Sequence, residues 1–230
     1  MSRGVERGLV LHVTQSVETG LAHVVEQLVD AQVREGWRVA LASPGGRVAE
    51  LSRGRGAELF RWRAEREPGA SLVREAHDLA RIVTVLDPDL VHLHSAKAGL
   101  VGRLVLRGRR PTVFTPHAWS WLAAEGPVRT AAMRWERAGA RWAHATICLS
   151  EAELEEARAI GIAPTPRLVP NDVPVAELRG LAPTDRAVAR EVLGLPEQVP
   201  LVVCCARLAP QKGQDVLLDA WPQVLHRVPA

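Results

Sequence analysis

Lysine is nearly missing from this 230-residue chain: of 29 Lys and Arg, only Lys97 and Lys212 are lysine. Arginine cannot stand in where a compact ammonium is required, so these two positions are singled out for inspection. Long apolar runs are absent as well. None approaches the roughly 18 residues of a membrane span, which excludes a membrane-crossing helix. The N-terminus "MSRGVERGLVLHVTQ" has charges but no apolar signal-peptide core, so a cytoplasmic location is expected. Cysteine is scarce, and Cys148, Cys204 and Cys205 each lie in an apolar run without metal-ligand spacing. They read as small buried hydrophobes rather than a zinc site or a disulfide framework. Internal repeats and low-complexity tracts are absent. The net charge of +3 and the pI of ≈ 9.1 come without lysine clusters or an aromatic-basic strand face, which argues against nucleic-acid binding.

What is present is an alternation of short apolar runs and longer helical stripes. "LVLHVTQ" from Leu9 reads as a strand. Gly20 to Glu35 follows as a helix with Leu21, Val24, Val25, Leu28 and Val29 at helical spacing, closed by Gly36. "WRVALAS" and "AELFRW" are the next strands, and Ser71 to Leu86 is a helix that Pro88 prevents from continuing. "DLVHLHS" is a strand in which Ser95 would cap the helix "AKAGLVGRLVL". "TVFTPHAW", a helix from about Val128 to Trp142, "ATICLS", a Ser150/Glu153 capping box and "RLVPNDV" complete the series. The pattern predicts an α/β fold with a doubly wound, Rossmann-like parallel sheet. Residues 1–178 form this domain, and 179–199, rich in Pro, Gly and charge with a short helix from Thr184, form a linker. Residues 200–230 begin a second Rossmann-like domain with the strand "LVVCCA" and one helix.

In such a sheet, ligands gather where strand carboxyl ends meet helix N-termini. Thr14 to Gly20, His94 with Ser95, His117, and Arg207 with Lys212 all fall at such ends. Gly20 at a helix start suits the approach of an anion, or is a turn residue only. His92 and His94 share one strand face. No third metal ligand accompanies them in sequence, so buried, satisfied histidines are the expectation. His117 follows Pro116 and is placed to hydrogen-bond a sugar hydroxyl or phosphate, or to act as a base. Arg207 and Lys212 flank a turn and suit a diphosphate, or form a solvated basic turn.

"RLAPQKGQDVLLDAW" resembles the start of the C-terminal domain of glycosyltransferase family 4, retaining enzymes of the GT-B fold. "HVTQSVETGLAHVVEQL", "DLVHLHSAKAGLVGRL", "VFTPHAW", "ATICLSEAE" and "LVPNDV" are similar, in order, to segments of that family's N-terminal domain. The resemblance implies that Arg207 and Lys212 bind the donor diphosphate, that the loop at Gly20 approaches the donor phosphates or the acceptor, and that His117 is the catalytic-site contact to the transferred sugar. His94, Ser95 and Lys97, at and just after a strand end, are further candidates for contact with acceptor or sugar. Two departures stand out. Asn171-Asp172 replaces the usual Asn-Gly, and the family's paired glutamates would fall beyond Ala230, so the second domain is expected to be truncated.

The implied function is hexosyl transfer from a nucleotide-diphosphate sugar to a glycan or lipid-linked acceptor. Cofactors are none: there is no Asp-x-Asp at a strand end, and no metal is expected. The alternative is a non-catalytic Rossmann-like remnant that binds an anion or a partner. In "VRTAAMRWERAGARW", Ala131, Trp135, Ala138 and Trp142 line one stripe beside Arg134, Arg137 and Arg141. This permits peripheral contact of residues 129–142 with the inner face of a membrane, or packing of the stripe on the sheet with the arginines in water.

Overall fold

The computed structural model describes residues 7–65, 69–173, 175, 185–208 and 212–227. The chain divides into two compact units, Met1–Asp172 and Val173–Ala230. In the first, the strands are β1 (Arg7–Thr14), β2 (Trp37–Ser43), β3 (Glu58–Arg61), β4 (Leu90–His94), β5 (Thr112–Thr115), β6 (Ala145–Cys148) and β7 (Arg167–Leu168). The helices are α1 (Thr19–Arg34), α2 (Gly46–Gly54), α3 (Leu72–Leu86), α4 (Ser95–Leu106), α5 (Gly126–Ala140) and α6 (Glu151–Ala159). All the strand pairings are parallel, in the order β3-β2-β1-β4-β5-β6-β7. The order reverses between β1 and β4, and the crevice beyond their carboxyl ends is the place where such sheets bind ligands.

Alternation along β1 and β4 sorts side chains onto two faces. Leu9, Leu11, Val13, Val91 and Leu93 join Leu79 and Val83 of α3 and Ala98 and Val101 of α4 in one core. Leu41 and Val39 of β2 pack with Val25 and Val29 of α1 in the other. Each fully buried Leu, Val or Phe contributes about 1.5–3 kcal/mol of transfer free energy. The polar residues His12, Thr14, His92 and His94 lie in the intervening positions and share the second face. Helix α4 approaches the sheet through glycines. A Cβ on Gly99 would meet the Phe114 ring at 2.3 Å, and one on Gly102 would meet Leu93 at 2.4 Å.

Most elements match the sequence pattern, with informative exceptions. The 150s capping box forms as Glu153 N–H donating to Ser150 Oγ at 3.2 Å. Glu153 Oε2 reaches one residue further back than a capping box requires and accepts the Leu149 N–H at 2.8 Å. Ser95 does not cap α4. It is the first helical residue, with φ +73°, and His94 occupies the cap position. Helix α2 and a 3-10 turn at Ser120–Ala123 form where no element is expected. In α5 the buried face is Glu136, Gly139 and Ala140 with half-buried Ala132 and Met133. Ala131 and Ala138 of the expected stripe are exposed.

In the second unit, α7 (Arg186–Val192) and α8 (Gln214–Arg227) form. The Arg190 guanidinium donates to the carbonyls of Pro196, Glu197 and Val199, tying down the segment after α7. Leu201–Ala206 is not a strand, and Cys204 and Cys205 are exposed rather than buried. A strand needs a neighbour to take up its backbone N–H and C=O groups, and none pairs with this segment among the described residues. Helix α8 has no buried residue, and Val216 and Leu225 are exposed.

Candidate functional site

The carboxyl edge of the sheet is built in register. Thr14 lies beside His94, and His94 lies beside Thr115; one step back, His12 lies beside His92. Because strand side chains alternate, these residues form two polar rows on the face that α1 covers. From the end of β5, Pro116 leads into His117, which holds φ +55°, followed by Ala118 at φ +111°. Left-handed backbone at a non-glycine residue is sparsely populated and persists where its surroundings enforce it. Here a hydrogen bond between His94 Nδ1 and His117 Nε2 of 3.1 Å holds the imidazole against the edge.

The bonds continue inward. His94 Nε2 meets His12 Nδ1 at 2.9 Å, and His12 Nε2 meets Gln32 Oε1, on α1, at 2.8 Å. His92 forms a side branch, its Nε2 lying 2.9 Å from Thr115 Oγ1. His92 and His94 stack with ring centroids 4.0 Å apart. Burial drives the His12 pKa down to about 4 against a partial opposing effect of Gln32, and burial alone brings His117 to about 4. Burial, followed by the neighbouring imidazoles, puts His92 and His94 well below the ordinary histidine value. All are therefore neutral at physiological pH, and each offers one donor and one acceptor.

The sequence shows a His92/His94 pair without a third ligand; the fold supplies His12. Nitrogens of His12, His92 and His94 lie within 4.8 Å of one another, the spread of a metal triad. Both ring nitrogens of His12 and of His94 are already hydrogen-bonded, so coordination through either would have to break one of these bonds. The sequence does hold one Asp-x-Asp beside a strand, Asp87-Pro88-Asp89, but it precedes β4 at the amino end, where the Asp89 carboxylate accepts the Leu9 N–H at 2.6 Å, away from the carboxyl edge.

Of the residues expected to contact ligand, His94 and His117 are brought together. Gly20 is exposed in the first turn of α1, and nothing lies within 4 Å of a Cβ added there. Ser95 stands at the edge, but its Oγ is buried and makes no hydrogen bond. Lys97 is buried in an ion pair. It is 5% exposed, and its ammonium sits 3.0 Å from Glu75 Oε2 on the opposite face. Burial pushes the Glu75 carboxyl up, yet the Glu65 N–H, Lys97 and Ser71 outweigh it and leave it below its usual value. Arg207 and Lys212 are exposed in the second unit, where the Arg207 carbonyl accepts Gln214 Nε2 at 2.7 Å. The turn between them, 209–211, lies outside the described residues. Sequence reasoning missed His12 and Gln32. The in-phase spacing of His12 and Thr14 was a signal for the first once β1 and β4 are neighbours; nothing in the sequence marks the second.

Residues 19–172 match the model of the glycosyl transferase 4-like domain. A mannosyltransferase of Corynebacterium glutamicum, GDP-mannose-dependent and acting on monoacylated α-(1-6)-phosphatidylinositol monomannoside, is 38% identical over 71 residues. These are 31% of this chain and 19% of that one. D-inositol 3-phosphate glycosyltransferase 1 of Catenulispora acidiphila is 31% identical over 147 residues, 61% of this chain and 35% of that one. Among solved structures, Anabaena HepE in complex with UDP and glucose superposes with a TM-score of 0.71 at 23% identity, covering 94% of this chain and 58% of that one. The matched portion is thus about a third or less of these two curated relatives. The α/β fold, with its all-parallel sheet flanked by helices, matches Rossmann-like glycosyltransferases of the GT-B fold. The chain belongs to the glycosyl transferase 4-like family.

Proposed function

We propose that this chain carries the acceptor-side part of a glycosyltransferase that moves a hexosyl group from a nucleotide-diphosphate sugar to a glycan or lipid-linked acceptor. The observation that carries the reading is His117, which has left-handed backbone and an imidazole bonded to His94 at the carboxyl edge beside the β1/β4 reversal. A neutral imidazole there accepts a hydrogen bond from a hydroxyl of the transferred sugar and orients it. In the reaction the bond from the sugar's anomeric carbon to the diphosphate breaks, a bond to the acceptor oxygen forms, and the acceptor proton is released. Negative charge develops on the diphosphate. Arg207 and Lys212 are assigned to neutralise it, with the open first turn of α1 at Gly20 leaving backbone N–H groups accessible.

The relatives support this reading: one is named for GDP-mannose and a phosphatidylinositol mannoside, and HepE was solved with UDP and glucose. No helix of the described residues is long and apolar enough to cross a membrane. Arg129, Arg134, Arg137 and Arg141 on and just after α5 are exposed. We assign this basic row to peripheral contact with an anionic membrane on the cytoplasmic side, where a lipid-linked acceptor would lie. With cations holding the diphosphate, the proposal includes no metal requirement.

The test is sugar transfer by the intact protein from a panel of UDP- and GDP-hexoses, with Arg207→Ala and Lys212→Ala in parallel. Each substitution removes a charge-assisted contact and lowers kcat/KM by roughly tenfold to a hundredfold, and EDTA leaves the wild-type rate unchanged. No transfer from any donor, or unchanged kcat/KM in both variants, sinks the reading.

A further inference from the structure

The mechanism above uses one nitrogen of one histidine, yet that histidine ends a continuous chain of bonds reaching into the core. From Gln32 Oε1 the contacts run to His12 Nε2 at 2.8 Å, from His12 Nδ1 to His94 Nε2 at 2.9 Å, and from His94 Nδ1 to His117 Nε2 at 3.1 Å. A neutral imidazole has one N–H and one bare nitrogen, so hydrogen bonds along such a chain must all run in one direction. An amide oxygen can only accept. With Gln32 Oε1 at the inner end, His12 carries its proton on Nε2 and leaves Nδ1 bare. His94 then donates from Nε2 and leaves its own Nδ1 bare, and His117 likewise donates from Nε2. The outer atom, His117 Nδ1, is left as a lone pair, and it has no hydrogen-bond partner among the described residues.

We propose that Gln32, His12 and His94 act as positioning residues that set the tautomer of His117, so that its Nδ1 meets a ligand hydroxyl as an acceptor. The ligand part of this inference rests on the sugar-transfer reading; the relay itself does not. Burial supports the relay, because His12 and His94 are fully buried and no water competes for their ring nitrogens. His92 stands outside it, bonded to Thr115. The same three strand histidines have the spread of a metal triad, but a metal would take nitrogens that the relay engages.

The experiment is long-range proton–nitrogen NMR on the full chain with nitrogen-15-labelled histidine, which distinguishes protonated from bare ring nitrogens. The relay predicts Nε2–H on His12, His94 and His117 together. Gln32→Leu, which removes the acceptor, mixes the tautomers of His117 three hydrogen bonds away along the chain. Gln32→Glu, an acceptor again, restores the Nε2–H pattern. In a His94→Phe background Gln32→Leu no longer alters His117. A purely structural glutamine would not move the His117 signal. Unlike tautomers among the three in the wild type, Nδ1–H on all three, or a His117 signal indifferent to Gln32 overturns the proposal. So does stoichiometric Zn²⁺ binding that replaces the His12–His94 bond. The wild-type spectrum decides even if a variant fails to fold. In the transfer assay, Gln32→Leu lowers kcat/KM by roughly threefold to tenfold. A relay confirmed by NMR in a protein that transfers no sugar contradicts the sugar reading, not the relay.

Discussion

At the scale of the residue, the buried imidazoles make stability depend on pH in a defined direction. His12 and His117 have pKa values of about 4 in the fold and 6.5 when unperturbed. The unfolded chain therefore takes up protons below pH 6.5 that the folded chain refuses. The stability tied to these groups is complete above pH 6.5 and is lost as pH falls toward 4, at about 1.4 kcal/mol per pH unit for each histidine. Urea titrations at pH 7 and pH 5 should show a clear drop in midpoint; equal midpoints would mean the imidazoles are not buried neutral. The Lys97–Glu75 pair gives a second prediction. Lys97→Ala strands a carboxylate in the core and destabilises by about 3–5 kcal/mol, whereas the apolar pair Lys97→Met with Glu75→Leu recovers most of that. Chemical denaturation of the three proteins checks it. Legibility at this scale was partial. His94 and His117 were visible as polar residues at strand ends, but an ammonium looks the same in sequence whether it faces a ligand or a buried carboxylate. The pairing of Lys97 with Glu75 was therefore invisible, and Gln32 could not be found, because its role depends on how α1 lies over β1.

At the scale of the element, α4 is the tightest fit in the fold. Gly99→Ala and Gly102→Ala place a methyl 2.3 Å from Phe114 and 2.4 Å from Leu93, each requiring the helix to retreat from the sheet. Each should destabilise by about 1–3 kcal/mol by thermal melting, while Gly20→Ala, with nothing within 4 Å, should not. Donor or acceptor binding that weakens in Gly20→Ala at unchanged stability would mark that turn as a ligand contact. The basic row of α5 is tested by flotation: the intact protein should bind anionic vesicles at low salt, and Arg134→Glu with Arg137→Glu should abolish it. The strands and long helices were legible because their apolar periods of 2 and 3.6 are sustained. Helix α2 was not. It is nine residues long, flanked by Gly45 and Gly56, and buries only Val48, Ala49 and Ser52, so its stripe is too short to outweigh its turn-forming neighbours.

At the scale of the whole molecule, a parallel sheet brings residues from 12 to 117 to one edge, and the order β1 next to β4 is what makes four distant histidines neighbours. The pattern of alternating strands and helices pointed to a doubly wound parallel sheet, but the order of its strands came from the structure. The "LVVCCA" strand failed because an apolar, β-branched run is only a propensity until another strand pairs with it. Amide hydrogen exchange should be slow in β1 and β4 and fast over residues 201–206; slow exchange there would mean that the segment is paired after all. The claim that the carboxyl edge at His117 is where sugar is transferred is tested most directly by the kcat/KM of His117→Gly in the intact protein. Glycine suits the φ of +55° at this position, so the imidazole is removed without straining the backbone. The account predicts a fall of roughly tenfold to a hundredfold in a variant that stays folded, its melting temperature lowered by only a few degrees through the lost His94 bond; wild-type kcat/KM in that variant would contradict it.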